Sequence, residues 1–266
     1  MGNDSEDQSW SDPFSVSGHH IVIVGGTAGI GWAVAEHLAN AGAHVVITGR
    51  RDMSDRAADR GMRSVQMDVA DSDSVKAAYR AIGADNRPID CLILNAGVDE
   101  AHGEIDGVDL AVFERVLDVN TMGLVRAMAG GIGLVCDGGS VVVTSSPAGS
   151  TTTPGMAAYS ASKAALDMLV RTWALELGPR RVRVNAVLPG IVETEMNSES
   201  SPNIELIRRM TANGRYRTAA DMGPVFHFLA SAASETLTGS LVGAHDGISI
   251  GYSHEVLAHL AADLEG

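Results

Sequence analysis

The sequence predicts a doubly wound α/β fold: a parallel sheet of about seven strands with helices on both faces. Two observations predict it. Short β-branched apolar runs recur along the chain with segments of helical length between them, and the first run passes directly into a glycine-rich turn. Continuous apolar runs mark strands buried on both faces, and their alternation with helices builds a parallel sheet. The 266 residues, 45% hydrophobic, suffice for a single core. No repeat of about 20–50 residues and no composition break divides them.

Taken in order, residues 1–17 read as a disordered acidic leader, with Asp4, Glu6, Asp7 and Asp12 among serines. Residues 18–252 read as one domain and 253–266 as a tail. His19-His20 reads as an ordinary strand edge. The first strand, 21–24, runs into Gly25-Gly26-Thr27-Ala28-Gly29-Ile30-Gly31 and then a helical segment from Trp32. Glycines at such a turn let the backbone approach a diphosphate, and the helix N-terminus offers unpaired N–H donors. The GxxxGxG spacing at Gly25, Gly29 and Gly31 differs from the GxGxxG dinucleotide fingerprint.

The second strand, 45–48, ends in Gly49-Arg50-Arg51. In a dinucleotide fold an acid at this strand end binds the adenosine ribose, whereas an arginine accommodates a 2′-phosphate. Gly49 stands where the acid would be, so Arg50, with Arg51, favours NADP(H); NAD(H) is the alternative. Further strands are expected at 64–68, 91–94, 141–144, 183–188 and 241–244.

Between the fifth and sixth strands lies Tyr159-Ser160-Ala161-Ser162-Lys163. The chain holds two lysines, Lys76 and Lys163, against seventeen arginines. Four residues apart on a helix, the phenol and the ammonium share one face, with Cβ atoms about 5–6 Å apart. A phenol titrates near 10, and bringing it to about 7 takes roughly 4 kcal/mol. A cation about 4 Å away at an effective dielectric of 20 supplies roughly that amount. The expectation is therefore a tyrosine with a lowered pKa, matched to alcohol–ketone interconversion.

Together these residues resemble the short-chain dehydrogenase/reductase family in its single-domain, Rossmann-type form, from about Ser17 to Ile250. The resemblance extends to Asp68-Val69 as an adenine-contacting pair and to Asn95-Ala96-Gly97 as the cofactor-side motif after the fourth strand. It also covers the segment Asn185 to Gly190, with Pro189, Gly190, Val192 and Thr194 closing over the nicotinamide. Two positions depart from the pattern: Val24 where threonine is usual, and Leu94 where a second asparagine is frequent. The resemblance implies a catalytic tetrad of Asn120, Ser146, Tyr159 and Lys163. Ser146, thirteen residues before Tyr159, would bond the substrate oxygen, and Asn120 would hold a water leading from Lys163 to solvent. Lys163 would also bind the nicotinamide ribose beside Tyr159. A homotetramer or homodimer is implied, packed through the helices that carry Asn120 and Tyr159. The first of these continues into Ala129-Gly130-Gly131, which weakens a helix by roughly 1 kcal/mol per interior glycine.

Two segments should shape the substrate pocket. Residues 147–158, small and threonine-rich with Met156, would line one wall. Residues 195–217 would form a lid whose apolar side covers a hydrophobic substrate or whose Arg208 or Arg209 meets an acidic one; the plainer reading is a packed and a solvated helix face. The tail, with Val256, Leu257 and Leu260, would form a short amphipathic helix against a neighbouring subunit.

A net charge of −14 argues against nucleic acid and anionic membranes. No apolar run approaches the roughly 18–20 residues of a membrane span, and no signal peptide opens the chain, so a cytoplasmic location is expected. Cys91 and Cys136 read as reduced thiols, and nine scattered histidines show no metal-ligand spacing. The sequence points to an NADP(H)-dependent oxidoreductase interconverting a hydrophobic ketone and a secondary alcohol. A 3-oxoacyl-thioester reductase and an NAD-dependent secondary alcohol dehydrogenase are the alternatives within the class. A non-catalytic cofactor-sensing protein is the alternative outside it, disfavoured by the intact tetrad.

Overall fold

The computed structural model describes residues 12–100, 103–193 and 204–258. Seven parallel strands form the main sheet in the order β3-β2-β1-β4-β5-β6-β9. They are β1 (His20–Val24), β2 (His44–Gly49), β3 (Arg63–Gln66), β4 (Ile89–Leu94), β5 (Val135–Thr144), β6 (Arg183–Pro189) and β9 (Leu241–Ala244). Two short strands, β7 (Val192–Glu193) and β8 (Arg217–Thr218), pair separately and had no sequence signal. The helices are α1 (Gly29–Asn40), α2 (Ser54–Ala58), α3 (Ser72–Gly83), α4 (Leu110–Leu117), α5 (Gly123–Gly131), α6 (Ala157–Leu177), α7 (Ile204–Met210) and α8 (Gly223–Ala230).

Successive strand residues point to opposite faces, and both faces are buried. Val22, Val24, Leu92, Leu94, Val141 and Val143 face one layer, where α3, α5 and α6 supply Ile82, Leu124 and Leu166. Ile21, Ile23, Ile47, Cys91 and Ile93 face the other, against Trp32 and Leu38 of α1 and Phe226 and Leu229 of α8. This is why the strands read as unbroken apolar runs. Strand order reverses between β1 and β4, and the crevice at such a switch point is where open α/β sheets bind ligands.

Several expectations are corrected. The third strand stops at Gln66 because the Asp68 amide leaves the ladder to donate to Ser74 Oγ at 2.9 Å. The fifth begins earlier, at Val135, through an irregular register opposite Ile89–Cys91. Residues 12–17 of the expected disordered leader are docked: Val16 is buried, Ala233 N donates to the Pro13 carbonyl at 2.8 Å, and His227 Nε2 bonds the Phe14 carbonyl at 2.7 Å. Residues 1–11 lie outside the described residues. His20 is not an edge residue but buried, with Nδ1 3.1 Å from the Pro88 carbonyl. The glycine pair in α5 has a packing reason. A Cβ on Gly131 would lie 2.5 Å from Tyr79 Cζ, so the missing side chains make room for the α3 tyrosine.

Candidate active site

The glycine turn at the end of β1 is built from absent atoms. Gly25 has φ +82°, and a Cβ there would stand 2.5 Å from the Ala96 amide nitrogen. A Cβ on Gly31 would overlap the Gly25 carbonyl oxygen and come within 2.6 Å of Asn95 Nδ2. Helix α1 then begins at Gly29 behind Ala28, which offers no capping side chain, and carries no acid in its first turn. Its leading N–H groups thus remain available to an anion, as a bound diphosphate requires.

Asn95, at the end of β4, ties this turn to the next strand. Its amide donates to the Gly25 carbonyl at 2.9 Å and accepts from Thr144 Oγ1 at 2.8 Å. Beside it, Ala96 packs on the core and Gly97 lies 3.8 Å, at its notional Cβ, from Lys163 Nζ. At the end of β2, Arg50 is exposed, while Arg51 Nη2 donates to the Thr27 carbonyl at 3.1 Å and folds over the glycine turn. The Thr27 side chain leaves no room at Gly49, where a Cβ would be 2.5 Å from Thr27 Oγ1. Ile30 is half-buried on α1, Asp68 half-buried after β3, and Val69 buried beside Gly123. Pro189 ends β6, Gly190 N donates to the Ala244 carbonyl at 3.1 Å, and Val192 is buried in β7. Thr194 lies outside the described residues. These positions form a rim along the carboxyl ends of the strands, a cradle whose tight turn, free helix amides and flanking arginines fit a phosphorylated dinucleotide.

The side-chain cluster sits at the end of β5. Ser146 follows that strand, and Tyr159 and Lys163 lie on the first turns of α6. The Tyr159 hydroxyl and Ser146 share a hydrogen bond, so two hydroxyls converge on one point. Lys163 is buried, donates to the Thr144 carbonyl at 2.9 Å, and holds its ammonium 5.5 Å from the Tyr159 ring centroid. Asn120 sits in a π-helical turn, Asp118–Met122, between α4 and α5. Such wide turns interrupt α-helices frequently at functional positions. The Asn120 amide clamps the backbone of Val98 from both sides, donating to its carbonyl at 2.8 Å and accepting from its N–H at 2.7 Å. Its second N–H lies 3.2 Å from Ser162 Oγ, so a water there would have only the oxygen's remaining lone pair.

The electrostatics differ from the sequence expectation. Tyr159 is raised above its usual value, chiefly by burial, with the Ser146 bond opposing and Asp99 adding to the rise. Its lysine neighbour lies against the ring and is itself drawn down to about 8 by burial, which Asp167 and Asp99 oppose. The pair therefore presents a protonated phenol at neutral pH. Among the described residues no cluster of three metal-ligating side chains occurs, and no helix is long and apolar enough to cross a membrane. Cys91 and Cys136 are free thiols.

Residues 147–158 turn back on themselves, with the Ser150 and Thr151 hydroxyls donating to the Pro147 carbonyl and Thr152 Oγ1 2.7 Å from Ser160 Oγ. In the expected lid, residues 195–203 lie outside the described residues. Helix α7 buries Ile204 and Ile207, exposes Leu206 and Arg208, and pairs Arg209 with Glu205. The packed-and-solvated reading therefore accounts for most of this helix.

Comparison with known proteins identifies the family and the fold. Residues 25–249 match a family model described as enoyl-(acyl carrier protein) reductase. The chain is 30% identical over 236 residues to the 3-oxoacyl-[acyl-carrier-protein] reductase MabA of Mycobacterium bovis, covering 87% of this chain and 93% of that protein. It is 29% identical to an NADPH-dependent aldehyde reductase 2, chloroplastic, of Arabidopsis thaliana, over 89% of this chain and 96% of that one. A short-chain dehydrogenase/reductase from Serratia marcescens superposes with a TM-score of 0.83 at 29% identity, covering 88% of this chain and 99% of its own. With its glycine turn, seven-stranded parallel sheet and these relatives, the chain belongs to the short-chain dehydrogenase/reductase family and is an oxidoreductase of that family.

Proposed function

We propose that this enzyme is an NADP(H)-dependent reductase of hydrophobic ketones, with Tyr159 as the proton donor. The observation that carries the reading is the convergence of the Ser146 and Tyr159 hydroxyls at the strand ends, with the phenol held protonated by burial. A carbonyl oxygen placed between them receives two hydrogen bonds as it gains negative charge, which is oxyanion-type stabilisation. A nicotinamide cofactor, when bound, supplies the hydride. Tyr159 gives its proton to the product alkoxide. Lys163 stands beside the resulting phenolate as a cation, and its own proton lies closer to physiological pH than an ordinary lysine's. Asn120 fixes the loop after β4 against this pair.

Gly25, Thr27, Gly29, Ile30 and Gly31 would hold the diphosphate, and Asp68, Val69 and Asn95–Gly97 would flank the adenosine and ribose. Pro189, Gly190 and Val192 would close on the nicotinamide. Preference for a 2′-phosphate is supported by the crowding at Gly49, which leaves no space for a ribose-binding acid, and by Arg50 and Arg51 beside it. An apolar substrate is supported by Ile191, Leu206, Ile250 and Tyr252, all exposed on the segments after β6 and β9. A homo-oligomer is supported by Leu110, Met122, Met168 and Leu175, exposed apolar residues on α4, α6 and the turn between α4 and α5. Two free thiols fit a cytoplasmic location.

The relative that reduces 3-oxoacyl carrier-protein thioesters gives a second reading, and the exposed apolar residues would suit an acyl chain equally. Parallel binding titrations with NADPH and NADH, followed by NADPH oxidation with 1-phenyl-1,2-propanedione and with acetoacetyl-coenzyme A, separate these possibilities. The proposal expects tighter NADPH binding and faster turnover of the diketone. Equal or tighter NADH binding would overturn the cofactor assignment. Faster turnover of the thioester would favour the second reading.

A further inference from the structure

Among the described residues, only two Asp, Glu, Lys or Arg side chains are buried: Lys163, 4% exposed, and Asp167, 7% exposed. They lie one helical turn apart on α6. They do not bond to each other. Each instead holds a successive residue at the end of β5: Lys163 Nζ donates to the Thr144 carbonyl at 2.9 Å, and Asp167 Oδ1 accepts from Ser145 Oγ at 2.5 Å. The next residue is Ser146. The turn that follows it, Pro147–Gly149, closes over the acid: a Cβ on Gly149 would lie 2.7 Å from Asp167 Oδ2.

A buried carboxylate is costly unless it is paired and hydrogen-bonded, and a buried ammonium likewise. An asparagine, serine or apolar residue would brace Ser145 or fill this space without that cost. The placement of the acid therefore asks for a use of its charge, and the one buried Lys or Arg among the described residues is Lys163, a turn away on α6. We propose that Asp167 is a positioning residue of this active site: through Ser145 it fixes the strand end that presents Ser146, and its charge balances the buried Lys163 ammonium one helical turn away. This inference rests on the roles given above to Ser146, Tyr159 and Lys163.

The groups around the pair agree. Lys163 is drawn down by burial, and the two charges that oppose this are Asp167 on its own helix and Asp99 on the loop after β4. Tyr159, on the same helix, is a neutral neighbour. Asp167 is raised by burial and lowered by the Ser145 hydroxyl, by Arg171 one turn further along α6, and by Lys163. Removing the Asp167 charge leaves Lys163 with one opposing acid instead of two. Its proton is then lost at lower pH, and a smaller share of Lys163 stands as a cation beside Tyr159 in the neutral range.

The chain's two lysines make the test direct. Full-length protein labelled with lysine carrying 13C at Cε gives two lysine Cε signals, one from exposed Lys76 as an internal control and one from Lys163. Each is titrated by NMR from pH 5 to 11 in the wild type, Asp167→Asn and Asp167→Glu. Asparagine keeps an acceptor for Ser145 and removes the charge; glutamate restores it. The expected result is a Lys163 midpoint lowered by about one unit or more in Asp167→Asn, with Lys76 unmoved and recovery toward the wild type in Asp167→Glu. An Asp167→Asn midpoint that coincides with the wild type overturns the proposal. If Asp167→Asn does not fold, Asp167→Glu is compared with Asp167→Gln, and coincident midpoints overturn it in the same way. Tyr159→Phe, assayed with NADPH and 1-phenyl-1,2-propanedione, keeps the two claims apart. Undiminished turnover in that variant removes the reading on which this one rests. An inactive Tyr159→Phe with an unmoved Lys163 midpoint in Asp167→Asn removes this inference alone.

Discussion

At the end of β1 the site depends on atoms that are missing, whereas at the end of β5 it depends on side chains whose protons are set by burial. Gly25, Gly31 and Gly49 each stand where a Cβ would strike backbone or Thr27, so this half is a shape. Ser146, Tyr159 and Lys163 occupy ordinary strand-end and helical positions, and their value lies in burial and in what they bond. The first half should therefore fail when atoms are added. The second should fail when a proton or a charge is removed while the shape survives.

The largest effect expected from breaking this contrast is on the glycine side. Gly31→Ala forces its methyl into the Gly25 carbonyl and should abolish NADPH binding. It should also cost about 1–3 kcal/mol or more of stability. Thermal unfolding with and without NADPH reads both, and an undiminished upward shift of the midpoint by the cofactor would contradict the steric account. Next in size, Tyr159→Phe keeps the ring and should slow ketone reduction by about 10²–10⁴-fold. Steady-state NADPH oxidation checks this.

The third prediction concerns pH. Lys163 falls from 10.5 to about 8 on folding, so between those values the unfolded chain holds a proton that the folded one has released. The site's contribution to stability is thus lowest below about pH 8 and rises as pH goes from about 8 to 10.5. Urea unfolding of the wild type against Lys163→Met should show the wild type gaining up to about 3 kcal/mol relative to the variant across that window. A constant difference would mean that Lys163 is not buried as a cation. Smaller again, Arg50→Ala should weaken NADPH by about 1–2 kcal/mol and leave NADH unchanged, as read by parallel titrations. The smallest effect expected is at exposed Glu205: Glu205→Ala breaks its pair with Arg209 and should change stability by no more than about 0.5 kcal/mol.

The same contrast explains what could be read from the sequence. Strands such as Ile21–Ile23 and Cys91–Leu94 are buried on both faces, so their apolar runs announce them without tertiary information. Glycines reveal themselves by identity, because a turn that cannot hold a Cβ leaves few alternatives. Features that depend on a distant partner were not legible. Gly130 and Gly131 look like helix weaknesses until Tyr79 arrives from α3 to fill their space. Residues 12–17 look like free acidic chain until His227 and Ala233 capture the Pro13 and Phe14 carbonyls. The π turn at Asn120 had no signal in the local pattern. Spacing placed Tyr159 and Lys163 on one helix face but gave the wrong direction for the phenol. The four-residue interval does not say that the ammonium lies against the ring or that both groups are buried. Asp167 lacked any signal, since a single aspartate in a long helix reads as surface until Ser145 and the Pro147–Gly149 turn enclose it.

The most direct test of this division of labour is a fluorescence titration of NADPH into wild type, Gly31→Ala and Tyr159→Phe side by side. The account predicts no measurable binding to Gly31→Ala and affinity within about tenfold of the wild type for Tyr159→Phe, whose lost hydroxyl is worth one hydrogen bond to the cofactor at most. Loss of binding in Tyr159→Phe together with normal binding in Gly31→Ala would contradict it.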